Sequence, residues 1–244
     1  MSGTVVVLTA LGLEFEAVQA YLTDSQHELH PTGTVFEVGR LQGTERRVAL
    51  AETGPGNQSA ALVAEHARQL FSPVAMLFVG VAGAVKDDLH LGDVVVATKV
   101  QAYQGGKETR QGFLARPEGW QASHALLQLA KHVLRPNQPW TDGDPASRPT
   151  VHFKPVGAGD VLLNSAKSPL RTQLHQHYND VVAVEMESAG LAHAAHIAGV
   201  DALTVRGISD RADGRKYAAA DEEHQPRAAA NAAAAAMAIV RRLP

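Results

Sequence analysis

Apolar positions along the chain follow two periods. Short runs with consecutive or every-second apolar residues read as strands at residues 5–9, 34–41, 46–52, 74–80, 93–102, 151–157, 181–184 and 202–208. Stretches with apolar residues three and four apart predict helices over 13–22, 58–71, 121–134, 186–198 and 225–243. The unbroken Val5-Val6-Val7-Leu8 marks a strand covered on both faces, and 34–41 and 46–52 look antiparallel. Gly54-Pro55-Gly56-Asn57 reads as a turn with an N-cap residue. Gly199 closes the helix before it, and alanine dominates the last helix. Residues 104–119 and 135–149 are polar and rich in glycine or proline, and read as loops. Strands alternating with helices predict an α/β fold. No repeat or linker divides the chain, so 1–244 is expected to form a single domain.

Composition narrows the function classes. With 244 residues and 45% hydrophobic content, the chain can bury a sizeable core. A formal charge of −3 gives no reason to expect nucleic acid or an anionic membrane as the main partner. The absence of cysteine excludes disulfides, thiolate metal sites and a cysteine nucleophile. Met1-Ser2-Gly3-Thr4 lacks a basic leader segment, and no apolar stretch reaches the ~20 residues needed to span a bilayer, so a cytoplasmic location is expected. His175 and His177, or His193 and His196, lack a well-placed third ligand, and no metal or cofactor is expected. Gly105-Gly106-Lys107-Glu108-Thr109 lacks the glycine and Lys-Ser/Thr pair of a phosphate loop, and no Gly-x-Ser-x-Gly elbow occurs.

Ligands of open α/β sheets sit beyond the carboxyl ends of strands, so the polar residues that follow strands are the candidates. Four segments qualify: Glu14 and Glu16 after the first strand, Gly80-Val81-Ala82-Gly83, Glu185-Met186-Glu187-Ser188, and Arg206-Gly207-Ile208-Ser209-Asp210. Carboxylates at three of the four suit acid–base work on an uncharged or cationic transition state. Each also has a structural reading: acids favoured in a helix's first turn, an aspartate capping a turn, or glycines permitting a tight turn.

Taken together and in this order, Val79-Gly80-Val81-Ala82-Gly83, Leu91-Gly92-Asp93-Val94-Val95, Ala183-Val184-Glu185-Met186-Glu187 and Val205-Arg206-Gly207-Ile208-Ser209-Asp210 resemble the nucleoside phosphorylase superfamily. Within it, the chain looks like the methylthioadenosine/S-adenosylhomocysteine nucleosidase branch along nearly its whole length. The resemblance implies a three-layer α/β/α sandwich with a mixed central β-sheet. It implies hydrolysis of the N-glycosidic bond of a purine nucleoside, adenine being the leading base.

The resemblance assigns roles position by position. Asp210 matches the acid that protonates N7 of the purine, supported by Ser209. Glu14 matches the acid that activates water, with Glu16 close enough to compete. Glu187 matches the ligand of the ribose hydroxyls and Met186 the residue packed on the sugar. Leu162 and Leu163 match the segment holding the base partly through its main chain. Glu185, Arg206, Val81, Ala82 and Gly83 complete the expected substrate-binding set, and Leu11 and Pro55 fall on the possible 5′ side. Cleavage of this kind needs a protonated leaving group and a stabilised oxocarbenium-like sugar, hence two carboxyl groups kept in different protonation states by different surroundings.

Three positions depart from the pattern. Leu162 stands where the family often has an aromatic residue, and Val81 where the nucleosidase branch commonly has serine. The stretch from Tyr103 to Arg110, with His152-Phe153-Lys154-Pro155, looks more like nucleosidase domains of bacterial defence proteins, some of which act on nucleotides. Lys107, Arg110 and Lys154 could then meet a 5′-phosphate, or simply lie on a solvated surface. The alternatives are therefore a nucleotide N-glycosidase, a phosphate-dependent phosphorylase and a non-catalytic nucleoside sensor. Superfamily phosphorylases carry arginines near the first strand, whereas this chain has Thr9-Ala10-Leu11-Gly12 there and no arginine before Arg40. Family members are dimers or larger, so a homo-oligomer acting on a small-molecule nucleoside or nucleotide is expected.

Overall fold

The computed structural model describes residues 3–110, 112–141, 148–214 and 218–244, the side chains of 218–223 excepted. Its elements run β1 (Val5–Thr9), α1 (Gly12–Gln19), β2 (Leu22–Leu29), β3 (Val35–Leu41), β4 (Arg47–Glu52), α2 (Asn57–Phe71) and β5 (Ala75–Ala84). Then come β6 (Val94–Ala102), β7 (Gly106–Thr109), β8 (Gly112–Ala115), β9 (Glu118–Gln121), α3 (His124–Val133) and β10 (Val151–Ala158). The chain ends with α4 (Pro169–His177), β11 (Ala183–Glu185), α5 (Ser188–Ala198), β12 (Ala202–Asp210) and α6 (Ala218–Arg241).

Alternation along β1 divides the core in two. Val5 and Val7 pack with Val18 of α1, Leu126 of α3 and the alanines of α6, while Val6 and Leu8 pack with Ala60 and Ala64 of α2 and Leu191 of α5. Helices thus cover both faces of a mixed sheet ordered β11-β10-β6-β12-β5-β1-β4-β3-β2, with β9 added alongside β6. The alanines let α6 lie directly on β12: a Cβ at Gly207 would run into the main chain of Ala228. β5 extends past the flat sheet and pairs antiparallel with β11, Ala84 opposite Ala183 and Gly83 opposite Val184. Five strands, β5, β12, β6, β10 and β11, therefore close into a ring.

Several boundaries differ from the sequence reading. The first helix stops at Gln19, and the polar strand β2 follows where helix was expected to Leu22. β2 lies at the sheet edge with most side chains in solvent, so no apolar alternation marks it. The expected 104–119 loop holds an exposed hairpin, β7–β8, and the start of β9. α4, capped by Ser168, was not anticipated. α6 starts at Ala218 and carries Pro226 within it, a residue that reads as a helix boundary. α2 begins with Gly56 in the N-cap position, and Asn57 is instead its first helical residue. Residues 142–147 of the expected long loop lie outside the described residues.

Beside the sheet edge, the imidazoles of His30 and His66 stack with centroids 4.0 Å apart. Both rings are buried and bonded to neutral groups, His30 to Thr32 and Gln69 and His66 to Thr34. Burial, then the neighbouring His30, pushes His66 below its ordinary value, against a weaker opposing effect of Glu65. The folded state therefore favours neutral His66. Its contribution to stability is complete above the unfolded-state value of about 6.5 and is lost as pH falls from there through the lower folded-state value. The thermal midpoint should fall on acidification from pH ~7 to ~5, and His66→Asn should flatten that slope; an unchanged slope would count against the stacked pair as its source.

Candidate active site

The residues marked out by the strand ends meet at one cavity of about 220 Å³ at the rim of the closed ring. Ala10 and Leu11 come from the end of β1, Val81, Ala82 and Gly83 from β5, and Tyr103 follows β6. Val161, Leu162 and Leu163 follow β10, Glu185, Met186 and Glu187 come from β11 and its exit, and Ser209 and Asp210 end β12. Glu14, Pro55, Val184 and Gln225 complete the lining. A larger groove of about 820 Å³ over Trp120 and α5 gathers none of the paired carboxylates. Among the described residues, no group of three or more His, Cys, Asp or Glu side chains is arranged to hold a metal ion.

Glu14 points inward and is 2% exposed, whereas Glu16 faces solvent. One Glu14 carboxylate oxygen accepts from the main-chain N–H groups of Ala10 (2.8 Å) and Leu11 (3.0 Å), the other from Val81 (2.8 Å). A carboxylate has about four acceptor sites, so three are engaged and one remains for the cavity. Burial holds Glu14 above its ordinary value, outweighing the opposing effects of Arg206 and the three main-chain donors.

Asp210 accepts from Ser209 Oγ (3.0 Å) and from the main-chain N–H of Ala212 (2.8 Å). It is the last residue of β12, which continues past the expected end at Ile208. Its turn-capping bond and its place on the cavity wall coexist.

Glu187 occupies the N-cap position of α5, so Met186 lies outside the helix in which it was expected. Its carboxylate accepts from Gly56 N (3.2 Å) and from the guanidinium of Arg206 (3.3 Å). Glu185 lines the cavity, but its carboxylate is engaged by Arg206, by the hydroxyl and N–H of Ser188 and by the N–H of Glu187. Arg206, expected at the substrate, is fully buried behind the wall, with its guanidinium 4.5 Å from the Phe78 ring centroid. Lys107, Arg110 and Lys154 are exposed and outside the cavity lining. They sit on the β7–β8 hairpin, at its turn and on β10 respectively.

Gly80 and Gly83 do not serve a tight turn, the structural reading open to them; both lie within β5. They are needed for close approach. A Cβ on Gly80 would sit 2.5 Å from Glu14 Oε1, and one on Gly83 would sit 2.7 Å from Asp210 Oδ1. Two glycines three residues apart thus seat the two carboxyl groups against one strand. The strand-end reading missed Tyr103 and Gln225. The chain-order signal for Tyr103 was its place directly after a strand, masked by the glycine-rich stretch that follows.

A mixed sheet closed at one end, with the loops of its strand ends around a carboxylate-lined cavity, is the nucleoside-phosphorylase type of α/β protein. The model of the phosphorylase superfamily matches residues 4–243, and the chain belongs to that superfamily. It is 31% identical over 212 residues to a 5′-methylthioadenosine/S-adenosylhomocysteine nucleosidase of Maridesulfovibrio salexigens, covering 85% of this chain and 86% of that protein. The fold is shared with the Neisseria meningitidis nucleosidase of the same name, solved with methylthio-immucillin-A, at TM-score 0.83 and 24% identity over 98% of this chain and 99% of that one. Futalosine hydrolase of Helicobacter pylori has the same fold, with TM-score 0.82 and 21% identity over 100% of this chain and 99% of that one.

Gly83→Ala tests the close approach. It should lower kcat by about 10²-fold through displacement of Asp210 while costing about 1–3 kcal/mol of stability in urea. Full activity in a folded variant would contradict the assigned seat.

Proposed function

We propose that this protein hydrolyses the N-glycosidic bond of an adenine nucleoside of the methylthioadenosine or S-adenosylhomocysteine kind, releasing the base. The observation that carries this reading is the pairing of Glu14, with one acceptor site left for a water, and Asp210 on the wall of one cavity. Water held by Glu14 attacks C1′ and loses its proton to that carboxylate. The C1′–N9 bond breaks, its electron pair passes into the base, and Asp210 donates a proton to N7. Glu187 accepts from the ribose hydroxyls, Met186 packs on the sugar, and Leu162 and Leu163 hold the base. The sugar becomes oxocarbenium-like as the bond breaks, and the surrounding carboxylates suit that positive charge.

Charge favours water over phosphate as the attacking group. Among the described residues, the lining includes Glu14, Glu185, Glu187 and Asp210 but no lysine, arginine or histidine. An incoming phosphate or a 5′-phosphate would meet like charge, which disfavours both the phosphorylase and the nucleotide readings. The same reading takes residues 1–244 as one domain, in support of which a single sheet draws strands from both halves of the chain. It also takes the protein to be a cytoplasmic homo-oligomer that needs no cofactor. No helix among the described residues is long and apolar enough to cross a membrane.

The test is adenine release, followed by chromatography, from methylthioadenosine, S-adenosylhomocysteine, adenosine and ATP, with and without phosphate. Release from the nucleosides independent of phosphate, reduced about 10²–10⁴-fold by Asp210→Asn, is expected. Release from ATP alone, or none from any substrate, would overturn the reading. Because burial raises Glu14 and the residue acts as an anion, activity should be lost as pH falls through a value above the ordinary glutamate value of about 4.3. An acid limb of kcat/KM at or below that value would rule out Glu14 as the group being titrated.

A further inference from the structure

Ala212, two residues beyond Asp210, holds a backbone conformation that alanine rarely adopts: its φ is +48°, in the left-handed region. Such strain persists only where the surroundings fix it, and it gathers where a site needs the resulting geometry. Here it turns the Ala212 N–H onto Asp210 Oδ1 at 2.8 Å. The Ala212 methyl is buried in one cluster with Val85, Leu163 and Leu174. It also lies against Gly83: a Cβ on that glycine would sit 3.0 Å from the Ala212 Cβ and 2.7 Å from Asp210 Oδ1. The Asp210 carboxyl is thus seated between the end of β5 and the segment that follows β12.

One side chain grips both. Arg171, in the first turn of α4, donates from one guanidinium nitrogen to the carbonyls of Ala212 (3.0 Å) and Arg211 (3.5 Å). From the other terminal nitrogen it donates to the carbonyl of Val85 (3.4 Å), the residue directly after β5. All three acceptors are main-chain oxygens, so the arginine fixes the path of the backbone. Its own place is set by Ser168, whose hydroxyl accepts from the Arg171 N–H (3.1 Å), and by Leu174, buried in the same cluster as Ala212. Arg171 is not part of the cavity wall. A planar fork of donors can bind two segments at once, which a single ammonium does less well.

We propose that Arg171 is a positioning residue for the proton donor: it clamps the segment after β12 to the end of β5, and so holds the Ala212 N–H and the Asp210 carboxyl in register with the cavity. The assignment rests on the nucleosidase reading, because it acts through Asp210. It gives α4 a part in the chemistry without contact with the substrate.

The test combines kinetics on methylthioadenosine with hydrogen exchange at the Ala212 amide, followed by NMR on the ligand-free full chain. Arg171→Met should lower kcat about tenfold with KM held within about twofold, since a misplaced acid weakens the transition state rather than binding. Arg171→Lys should fall between the two. In an Asp210→Asn background, Arg171→Met should have less than about twofold further effect, whereas in a Glu14→Gln background the full loss should remain. The Ala212 amide should exchange about tenfold faster in Arg171→Met than in wild type. Unchanged kcat in the folded variants, equal loss in both backgrounds, or unchanged exchange would each overturn the proposal. If wild type releases adenine from no nucleoside, the nucleosidase reading fails and the catalytic role falls with it, while the exchange rates still decide whether Arg171 holds the segment.

Discussion

Arg206 carries a full charge into the interior on β12, and much of the site follows from how that charge is met. Burying an unpaired ion costs several kcal/mol even after relaxation, so the guanidinium must be surrounded by acceptors. It finds them in Glu185, Glu187, the Ser188 hydroxyl and the Val81 carbonyl, with the Phe78 face beside it. These partners come from β11, the α5 N-terminus and β5, so one side chain ties together three strands of the closed ring. Glu187 is thereby held at the cavity wall with its second oxygen anchored on Gly56. Removing Arg206 would leave two buried carboxylates uncompensated, a larger loss than the ion cluster's own net contribution. The cationic residue expected at the substrate is instead the counter-ion that permits an acidic wall.

The second constraint is steric. β5 passes between the seats of Glu14 and Asp210, and its glycines bring main chain where a side chain would otherwise lie. Close approach serves Glu14 twice, because the Val81 N–H that the strand presents is one of its three donors. The same economy recurs where α2 meets α5, since a Cβ on Gly190 would collide with the main chain of Asn57. There the Asn57 side chain accepts from the Gly190 N–H and donates to Asp160. Asn57 thus spans from the helix that supports Glu187 to the loop that carries Leu162. That is a better use of its amide than the N-cap bond its place after Gly56 suggested.

Much of the fold was legible because the central strands are covered on both faces and so read as apolar runs. β2 and the β7–β8 hairpin escaped for the opposite reason: edge and exposed strands have no buried face to impose a period. α4 is polar, and its helicity rests on the Ser168 cap and on the burial of Leu174. At the site, Glu14, Glu187 and Asp210 could be named because acids after strands are chemically conspicuous. Sequence spacing could not show which charges face inward. Glu14 and Glu16 differ by two residues, which on a helix turns one to the cavity and the other to solvent. Lys107, Arg110 and Lys154 looked like phosphate ligands only while their side of the sheet was unknown.

The choice between water and phosphate turns on acceptor capacity as well as charge. Glu14 is nearly saturated by main-chain donors, so its remaining site can orient one small hydrogen-bond donor and little else. Phosphate brings mainly acceptors and at least one full negative charge, and needs cations or free N–H groups to hold it. Here the main-chain N–H groups of Ala10 and Leu11 after β1 are already turned onto Glu14, and so are not free to hold an anion. In the proposed reaction the nucleophile donates a hydrogen bond to the Glu14 carboxylate and then gives up a proton to it. Water meets both conditions with the least charge to bring in, and under that proposal the elevated Glu14 value would strengthen its pull on the proton, because a more basic carboxylate is the better acceptor.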